Sequence, residues 1–123
     1  EMIRWVSPVR HFMRTATVDT VVGEKEIRQG ESAILWYPSA NRDESVFDQP
    51  FEFRVDRSDA RQIAFGFGAH VCLGQHLARM EMASLFKAMF EKIDFIEVNG
   101  EPKYTQSTFV GGLKSLPIAY QAK

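Results

Sequence analysis

Hydrophobic and polar positions follow two rhythms along this 123-residue chain, one typical of strands and one typical of a helix. From residue 73 to residue 92, apolar side chains recur mostly every three or four positions, which places them on one helical face. This stretch predicts a helix of about five turns that packs its apolar face into a core. The apolar positions are Leu77, Met80, Ala83, Leu85, Phe86, Met89 and Phe90.

Short runs of β-branched and aromatic residues, separated by turn residues, predict strands on the N-terminal side of that helix. Pro8 is expected to end an opening helix, because its ring removes a backbone N–H donor. Residues 39–43 predict a short helical turn, and residues 44–63 form a polar loop without a sustained period. The predicted strands cover residues 11–16, 18–22, 25–28 and 32–37, with turns at Gly23-Glu24 and Gln29-Gly30.

The residues after the long helix predict a C-terminal β-hairpin. Residues 93–98 and 116–120 are expected to be strands, and the Asn99-Gly100 pair is typical of a hairpin turn. A further turn is expected at residues 107–112. Short strands together with one long helix predict an α+β fold.

Composition and charge argue against several kinds of function. With 15 basic and 16 acidic residues the net charge is −1, so nothing favours nucleic-acid binding. Hydrophobic residues make up 45% of the chain but never run for the ~18 positions that a membrane span needs. The first residues lack the regions of a secretory signal, and a single cysteine suits a reducing compartment. We therefore expect a cytoplasmic protein with no membrane or nucleic-acid partner.

The one cysteine, Cys72, lies in a glycine-rich aromatic loop, FGFGAHVCLG, that spans residues 65–74 and leads into the long helix. Three influences there favour a thiolate: backbone N–H groups turned inward by the glycines, the positive end of the helix, and the neighbouring His70. A thiolate in such a place predicts a ligand site.

Three other interpretations of this loop are weaker. A lone cysteine is most often buried as a small apolar side chain, here beside a helix-capping glycine turn. The Gly-x-Gly at residues 66–68 is half of a dinucleotide fingerprint, but Val71 stands where the third glycine belongs. His70, Cys72 and His76 are three potential zinc ligands, although a structural zinc site takes four.

The loop resembles the proximal loop of the cytochrome P-450 family, in which a cysteine thiolate is the axial ligand of haem iron. Further matches follow in the order that the family shows. Glu1-Met2-Ile3-Arg4 resembles the Glu-x-x-Arg of the family's K helix, and residues 39–44 and 50–57 resemble later segments. The remaining matches are Ser7-Pro8-Val9, Arg14, Gly23, Gly30 and Val46-Phe47.

This resemblance implies a site for haem b (iron protoporphyrin IX), with Cys72 as the metal ligand. Gly66 and Gly68 would let the main chain pass beneath the porphyrin and donate hydrogen bonds toward the sulfur. Phe65 would cover the sulfur, and Gly74 would let the next helix lie close to the ring.

The resemblance also implies contacts away from the sulfur. His70 and Arg14 would hold the haem propionates, and Ala78 completes the implied cofactor contacts. The residues that would contact a substrate are Val9, His11, Phe12, Phe109 and Val110.

Glu1 and Arg4, three residues apart, would share a helix face and form a buried ion pair with a structural role. The family completes this pair with an arginine near residues 50–53, where this chain has none. Arg57 is therefore the expected third member, with Arg54 as the alternative.

The implied fold is an α+β fragment of the mainly α cytochrome P-450 fold. Its elements would be the K helix, a small β-sheet, the meander, the cysteine loop, the L helix and a C-terminal β-hairpin. Residues 1–123 would form the C-terminal portion of a single domain whose N-terminal part is absent. The isolated piece is expected to be inactive, because the family's distal proton-delivery helix lies in the missing part.

The implied function of the parent protein is that of a bacterial haem-thiolate monooxygenase, which inserts one oxygen atom of O2 into a C–H bond. Its substrate would be lipophilic, such as a terpenoid, an alkyl chain or a sterol side chain. The alternative is a non-catalytic haem-binding or haem-sensing fragment. A ferredoxin-type or flavin redox partner would dock near the cysteine loop on the basic positions Arg61, His76, Arg79, Lys87 and Lys92.

Overall fold

A computed structural model describes residues 1–58 and 61–123, so positions 59–60 of the predicted loop lie outside the described residues. The chain divides into two compact units. The first contains residues 1–64 and 108–110, and the second contains residues 65–107 and 111–123.

The first unit begins with helix α1 (Met2–Val6). This helix ends where Ser7 adopts a left-handed conformation (φ 41°) and donates its N–H to the Ile3 carbonyl. The end falls directly before Pro8, as the sequence predicts, because proline cannot donate the next helical hydrogen bond.

Short strands follow α1 near the predicted positions: β1 (His11–Thr15), β2 (Thr20–Val22), β3 (Lys25–Ile27) and β4 (Ser32–Trp36). β1 pairs antiparallel with β4, in a register that sets His11 opposite Trp36. β2 and β3 form a hairpin. Gly23 turns this hairpin with a φ of 60°, a conformation that glycine adopts without a steric penalty.

Helix α2 (Tyr37–Ala40) begins earlier than the turn predicted at residues 39–43. Pro38 accounts for the shift, because the fixed φ of proline suits the first turn of a helix. Tyr37, predicted as the last residue of a strand, is instead the first residue of α2 and is buried.

The core of the first unit is small and partly polar. Asn41 has no exposed surface (0%), and its side chain donates to Ser7 Oγ at 2.8 Å and accepts the Ile63 N–H at 2.8 Å. Burial of this amide costs little because both of its ends are hydrogen-bonded. The buried side chains include Tyr37, Phe47 and Ala64 together with Arg4, Ser7 and Asn41.

The second unit contains a 3₁₀ turn (Gly68–His70), which the sequence pattern does not predict, and helix α3 (Gln75–Lys92). The strands β5 (Ile93–Val98), β6 (Lys103–Tyr104), β7 (Leu113–Ser115) and β8 (Ile118–Ala122) follow α3. β5 pairs antiparallel with β8, and β6 pairs antiparallel with β7. The C-terminal hairpin is therefore nested, with the β6–β7 pair inside the β5–β8 pair.

The prediction of a hairpin turn at Asn99-Gly100 is wrong. The Asn99 N–H donates to the Pro117 carbonyl at 2.9 Å, and β5 pairs with β8 rather than with the next strand. An Asn-Gly pair favours a tight turn only where the flanking residues pair with each other. Gly100 instead allows a close approach, because a Cβ atom there would lie 3.1 Å from the Pro117 Cβ.

The apolar face of α3 is exposed in this chain, although the sequence predicts that it packs into a core. Leu77 is 56% exposed, Leu85 58% and Phe90 75%, and no residue of α3 is buried. The apolar period predicts the helix but does not show whether its apolar face is covered. Neither α3 nor another helix of the described residues is long and apolar enough to cross a membrane.

Candidate functional site

The loop at residues 65–74 is closed by backbone hydrogen bonds. The Cys72 N–H donates to the Phe65 carbonyl at 2.7 Å, and the Val71 N–H donates to the Gly68 carbonyl at 3.1 Å. The Cys72 carbonyl accepts the N–H of Gln75 at 3.2 Å, at the start of α3. The backbone of Cys72 is therefore held both by the loop and by the first turn of the helix.

Glycines give this loop its shape. Gly66 (φ 76°) and Gly68 (φ 65°) adopt left-handed conformations, which cost other residues about 1–2 kcal/mol. A Cβ atom at Gly68 or at Gly74 would meet no atom within 4 Å. The loop therefore has open space next to the residues that flank the cysteine.

Cys72 is an exposed free thiol in this chain, so its interpretation as a buried packing residue finds no support. His70 and His76 are also exposed. Among the described residues, no three His, Cys, Asp or Glu side chains form a group that could hold a metal ion. The zinc interpretation therefore finds no support.

This geometry fits the haem that the sequence resemblance implies. An exposed cysteine could ligate the haem iron, and the open space at Gly68 and Gly74 would leave room for a flat macrocycle. A bulkier residue at either glycine would place a side chain in that space.

Arg79, on the second turn of α3, lies over the ring of Phe65. Its guanidinium carbon is 4.8 Å from the ring centroid, within the range of a cation–π interaction. Both side chains are half-buried. The sequence analysis names Arg79 only as one of several basic positions. Residue spacing does not show that its guanidinium lies over the Phe65 ring.

The other predicted cofactor residues lie in different units. Arg14 is on β1 opposite Ala33, in the first unit, and its guanidinium donates to the Met13 carbonyl at 2.9 Å. Ala78 is in the second unit and donates its N–H to the Gly74 carbonyl at 2.9 Å. The contacts of Arg14, His70 and Ala78 with a cofactor stay predictions.

The predicted substrate residues come together in the first unit. Val9 forms an antiparallel bridge with Val110. The ring of Phe109 lies 5.4 Å from that of Phe12 and 5.7 Å from that of His11, measured between centroids. The three rings thus form one mainly aromatic group, and the Val9–Val110 bridge joins the same two segments. The contacts of these residues with a substrate stay a prediction.

Trp36 belongs to the same group, but the sequence analysis does not predict it. Its ring lies 4.8 Å from that of His11 in a T-shaped arrangement. The register of β1 with β4, which sets these two residues opposite each other, is the signal that identifies it. The four residues His11, Phe12, Trp36 and Phe109 are called the aromatic cluster below.

Glu1 is the centre of a charge cluster. Arg4 donates to both carboxylate oxygens at 2.7 and 2.8 Å, and the Arg57 Nε donates to one of them at 3.1 Å. The backbone N–H of Arg54 adds a bond of 2.9 Å, while its side chain pairs with two aspartates at the surface. Arg57 rather than Arg54 is therefore the third charged member.

Hydrogen bonds from Arg4, with smaller contributions from Arg54 and Arg57, lower the pKa of Glu1 from 4.5 to about 2. The carboxylate is therefore ionised over the whole physiological range.

The basic positions predicted for docking differ in exposure. Arg61, His76, Lys87 and Lys92 are exposed, whereas Arg79 is half-buried against Phe65. Their role as a docking surface stays a prediction.

Comparison with known proteins identifies the family. The Cytochrome P450 family model matches residues 1–122. The chain is 48% identical to cytochrome P450-terp of Pseudomonas sp over 120 residues. The matched segment covers 98% of the chain and 28% of that relative. It is 40% identical over 122 residues to a steroid C26-monooxygenase of Mycolicibacterium smegmatis, covering 98% of the chain and 30% of the relative. It is 39% identical over 123 residues to linalool 8-monooxygenase of Pseudomonas putida, covering 100% of the chain and 30% of the relative.

The fold agrees with these matches. The crystal structure of CYP108D1 from Novosphingobium aromaticivorans matches with a TM-score of 0.92 and 47% identity, over 98% of the chain and 29% of that protein. The chain thus spans less than a third of the length of these relatives. Because sequence and fold match over nearly all of its residues, the chain belongs to the cytochrome P450 family.

Proposed function

We propose that this chain is the C-terminal, haem-ligand portion of a haem-thiolate monooxygenase. Haem is the cofactor of the family to which the chain belongs. The observation that carries the proposal is the closed loop that presents Cys72, an exposed thiol, beside glycines with open space. In this assignment α1 corresponds to the K helix, residues 65–74 to the cysteine loop and α3 to the L helix.

The haem, when bound, supplies the activation of O2 and the transfer of one oxygen atom to a C–H bond. The residues of the chain hold and orient it. Cys72 would ligate the iron as a thiolate, and the loop glycines would let the main chain lie against the ring. Arg14 and His70 would bind the propionates through charge-assisted hydrogen bonds, while Phe65 would exclude water from the sulfur.

The aromatic cluster and the Val9–Val110 bridge support a lipophilic substrate. Two similar proteins are named for monooxygenation of linalool and of a steroid at C26. A terpenoid, an alkyl chain or a sterol side chain is therefore the proposed substrate class.

The proposed electron source is a small ferredoxin-type or flavin protein, and O2 is the co-substrate. The exposed Lys87 and Lys92 give the second unit cationic positions that would attract an acidic partner, and the exposed His76 could donate hydrogen bonds to it.

The carbon monoxide spectrum of the reduced complete protein tests the ligand assignment. Cys72→Ser should abolish the red-shifted band typical of thiolate ligation, because no other cysteine in the chain can replace it. Ala69→Ser, a change of similar size in the same loop, is the matched control and should keep the band. An unchanged band in Cys72→Ser would contradict the assignment.

Product formation separates a monooxygenase from a non-catalytic haem-binding or haem-sensing protein. The complete protein is incubated with O2, an electron-supplying partner and a panel of terpenoids, alkanes and sterols. We expect a hydroxylated product from at least one class. A thiolate-type band without any product across the panel would keep the ligand assignment and remove the monooxygenase proposal.

A further inference from the structure

Phe65 connects α3 to the backbone of Cys72. The carbonyl of Phe65 accepts the Cys72 N–H at 2.7 Å, while its ring lies 4.8 Å from the guanidinium carbon of Arg79. All three residues belong to the second unit. The residue that fixes the backbone of the cysteine is therefore itself held by a cation on the helix.

We propose that Arg79 is a positioning residue that acts on the Cys72 thiolate through the ring of Phe65. The proposal rests on the haem-thiolate role proposed above for Cys72. A planar guanidinium can stack on a ring over a broad face, which a lysine ammonium cannot do. Loss of this stack would free the Phe65 ring and loosen the backbone bond to Cys72.

The charge of Arg79 would have a second effect on the same sulfur. The Cys72 carbonyl accepts the Gln75 N–H at 3.2 Å, and Arg79 lies one helical turn beyond Gln75. A partly buried cation stabilises a nearby anion more strongly than a cation in bulk water does. Because reduction of haem iron adds one negative charge, the cation should favour the reduced form.

The stack also distinguishes Arg79 from the exposed basic residues of α3. Lys87 lies two turns further along the helix and is exposed. Replacing Lys87 removes the same charge without touching the Phe65 ring, so Lys87→Met is a matched control for Arg79→Met.

The experiment compares Arg79→Met, Arg79→Lys and Lys87→Met in the complete haem-bound protein. The readouts are the midpoint potential from redox titration and the fraction of the reduced carbon monoxide complex that keeps the thiolate-type band as denaturant is added. Arg79→Met should shift the potential to more negative values and lose the band earlier. Arg79→Lys should keep most of the potential but lose the band earlier than the parent, whereas Lys87→Met should match the parent in both.

A double-mutant cycle with Phe65→Leu tests whether the effect passes through the ring. Arg79→Met should change the equilibrium for loss of the thiolate band by about two- to fivefold in the parent, from the strength of one cation–π contact. It should change that equilibrium far less when Phe65 is already leucine. Equal effects in both backgrounds would overturn the proposal.

The controls separate this inference from the function on which it rests. If the parent itself lacks a thiolate-type band, both proposals fail. If the parent has the band and Arg79→Met behaves like Lys87→Met, only the role of Arg79 fails. Should Arg79→Met hold no haem, the cycle is run with Arg79→Lys, and additive effects with Phe65→Leu again overturn the proposal.

Discussion

At the scale of single residues, Arg4 is a buried charge whose donors are bonded. Its side chain is 2% exposed and forms the pair with Glu1, and its Nη1 donates to the carbonyls of Asn41 at 2.6 Å and Pro50 at 2.9 Å. Such a group is tolerated only while its partners are present, because an unpaired charge in the interior is costly. Arg4 thereby fixes α1 to the segment after α2.

Replacing Arg4 should be strongly destabilising. Arg4→Met leaves the Glu1 carboxylate without its main donor, and we expect the free energy of unfolding to fall by about 3–5 kcal/mol. Arg54→Met is the control, because the Arg54 side chain pairs with surface aspartates and its loss should be far less destabilising. Denaturant unfolding of the complete protein measures both, and similar losses in the two variants would rule out a special role for Arg4.

The pH dependence of stability provides a second test of the charge cluster. Folding lowers the pKa of Glu1 from 4.5 to about 2, so its carboxylate stabilises the folded state above pH 4.5. This stabilisation, about 3 kcal/mol for the full shift, is lost as the pH falls toward 2. Glu1→Gln should therefore be less stable than the parent near neutral pH, and the difference should shrink in acid. A difference that stays constant with pH would contradict this assignment.

At the scale of elements, the nested C-terminal hairpin depends on the contact of Gly100 with Pro117. Gly100 has a φ of 137°, which side chains rarely allow, and an added Cβ atom would lie 3.1 Å from the Pro117 Cβ. The φ of Gly100 and the closeness of the Pro117 ring therefore both favour glycine at this end of β5.

Gly100→Ala should lower the free energy of unfolding by about 2–4 kcal/mol, from backbone strain and overpacking together. Gly112→Ala is the control in the same unit, because a Cβ atom there meets nothing within 4 Å and its φ is not left-handed. The control should be close to neutral. Denaturant unfolding midpoints of the two variants measure the difference. Equal midpoints would show that neither the φ of Gly100 nor the space beside Pro117 requires glycine.

At the scale of the whole molecule, this chain buries few side chains and exposes many apolar ones. Arg4, Ser7 and Asn41 are among its most buried residues, whereas the apolar face of α3 is open. The chain spans 28% to 30% of the length of its relatives. In the first unit, order thus depends on a hydrogen-bonded polar cluster as much as on apolar area.

Electron delivery is the prediction that concerns the surface of the complete protein. If the exposed lysines of α3 attract an acidic redox partner, Lys87→Glu with Lys92→Glu should slow reduction of the haem by that partner. The difference from the parent should shrink as salt is added, since screening acts within about 8–10 Å at moderate ionic strength. Stopped-flow reduction across a salt series measures this, and rates equal to the parent at every salt concentration would remove these lysines from the docking surface.

Features that depend on neighbouring residues could be predicted from the amino-acid sequence alone. Pro8 predicts the end of α1, the β-branched runs predict β1 to β4, and the apolar period predicts α3. The left-handed turns at Gly66 and Gly68 follow from their lack of a side chain. The loop around Cys72 also indicated the cytochrome P450 family, which the comparisons confirm.

Contacts between groups that are distant in sequence could be identified only in the folded structure. It selected Arg57 over Arg54 as the partner of Glu1, placed Arg79 on the ring of Phe65, and inserted the unpredicted β6–β7 pair inside the β5–β8 hairpin. Each of these contacts joins residues that no helical or strand period relates. These contacts depend on which conformations the loops adopt and on which hydrogen-bond donors still lack a partner. Both are defined only in the folded chain.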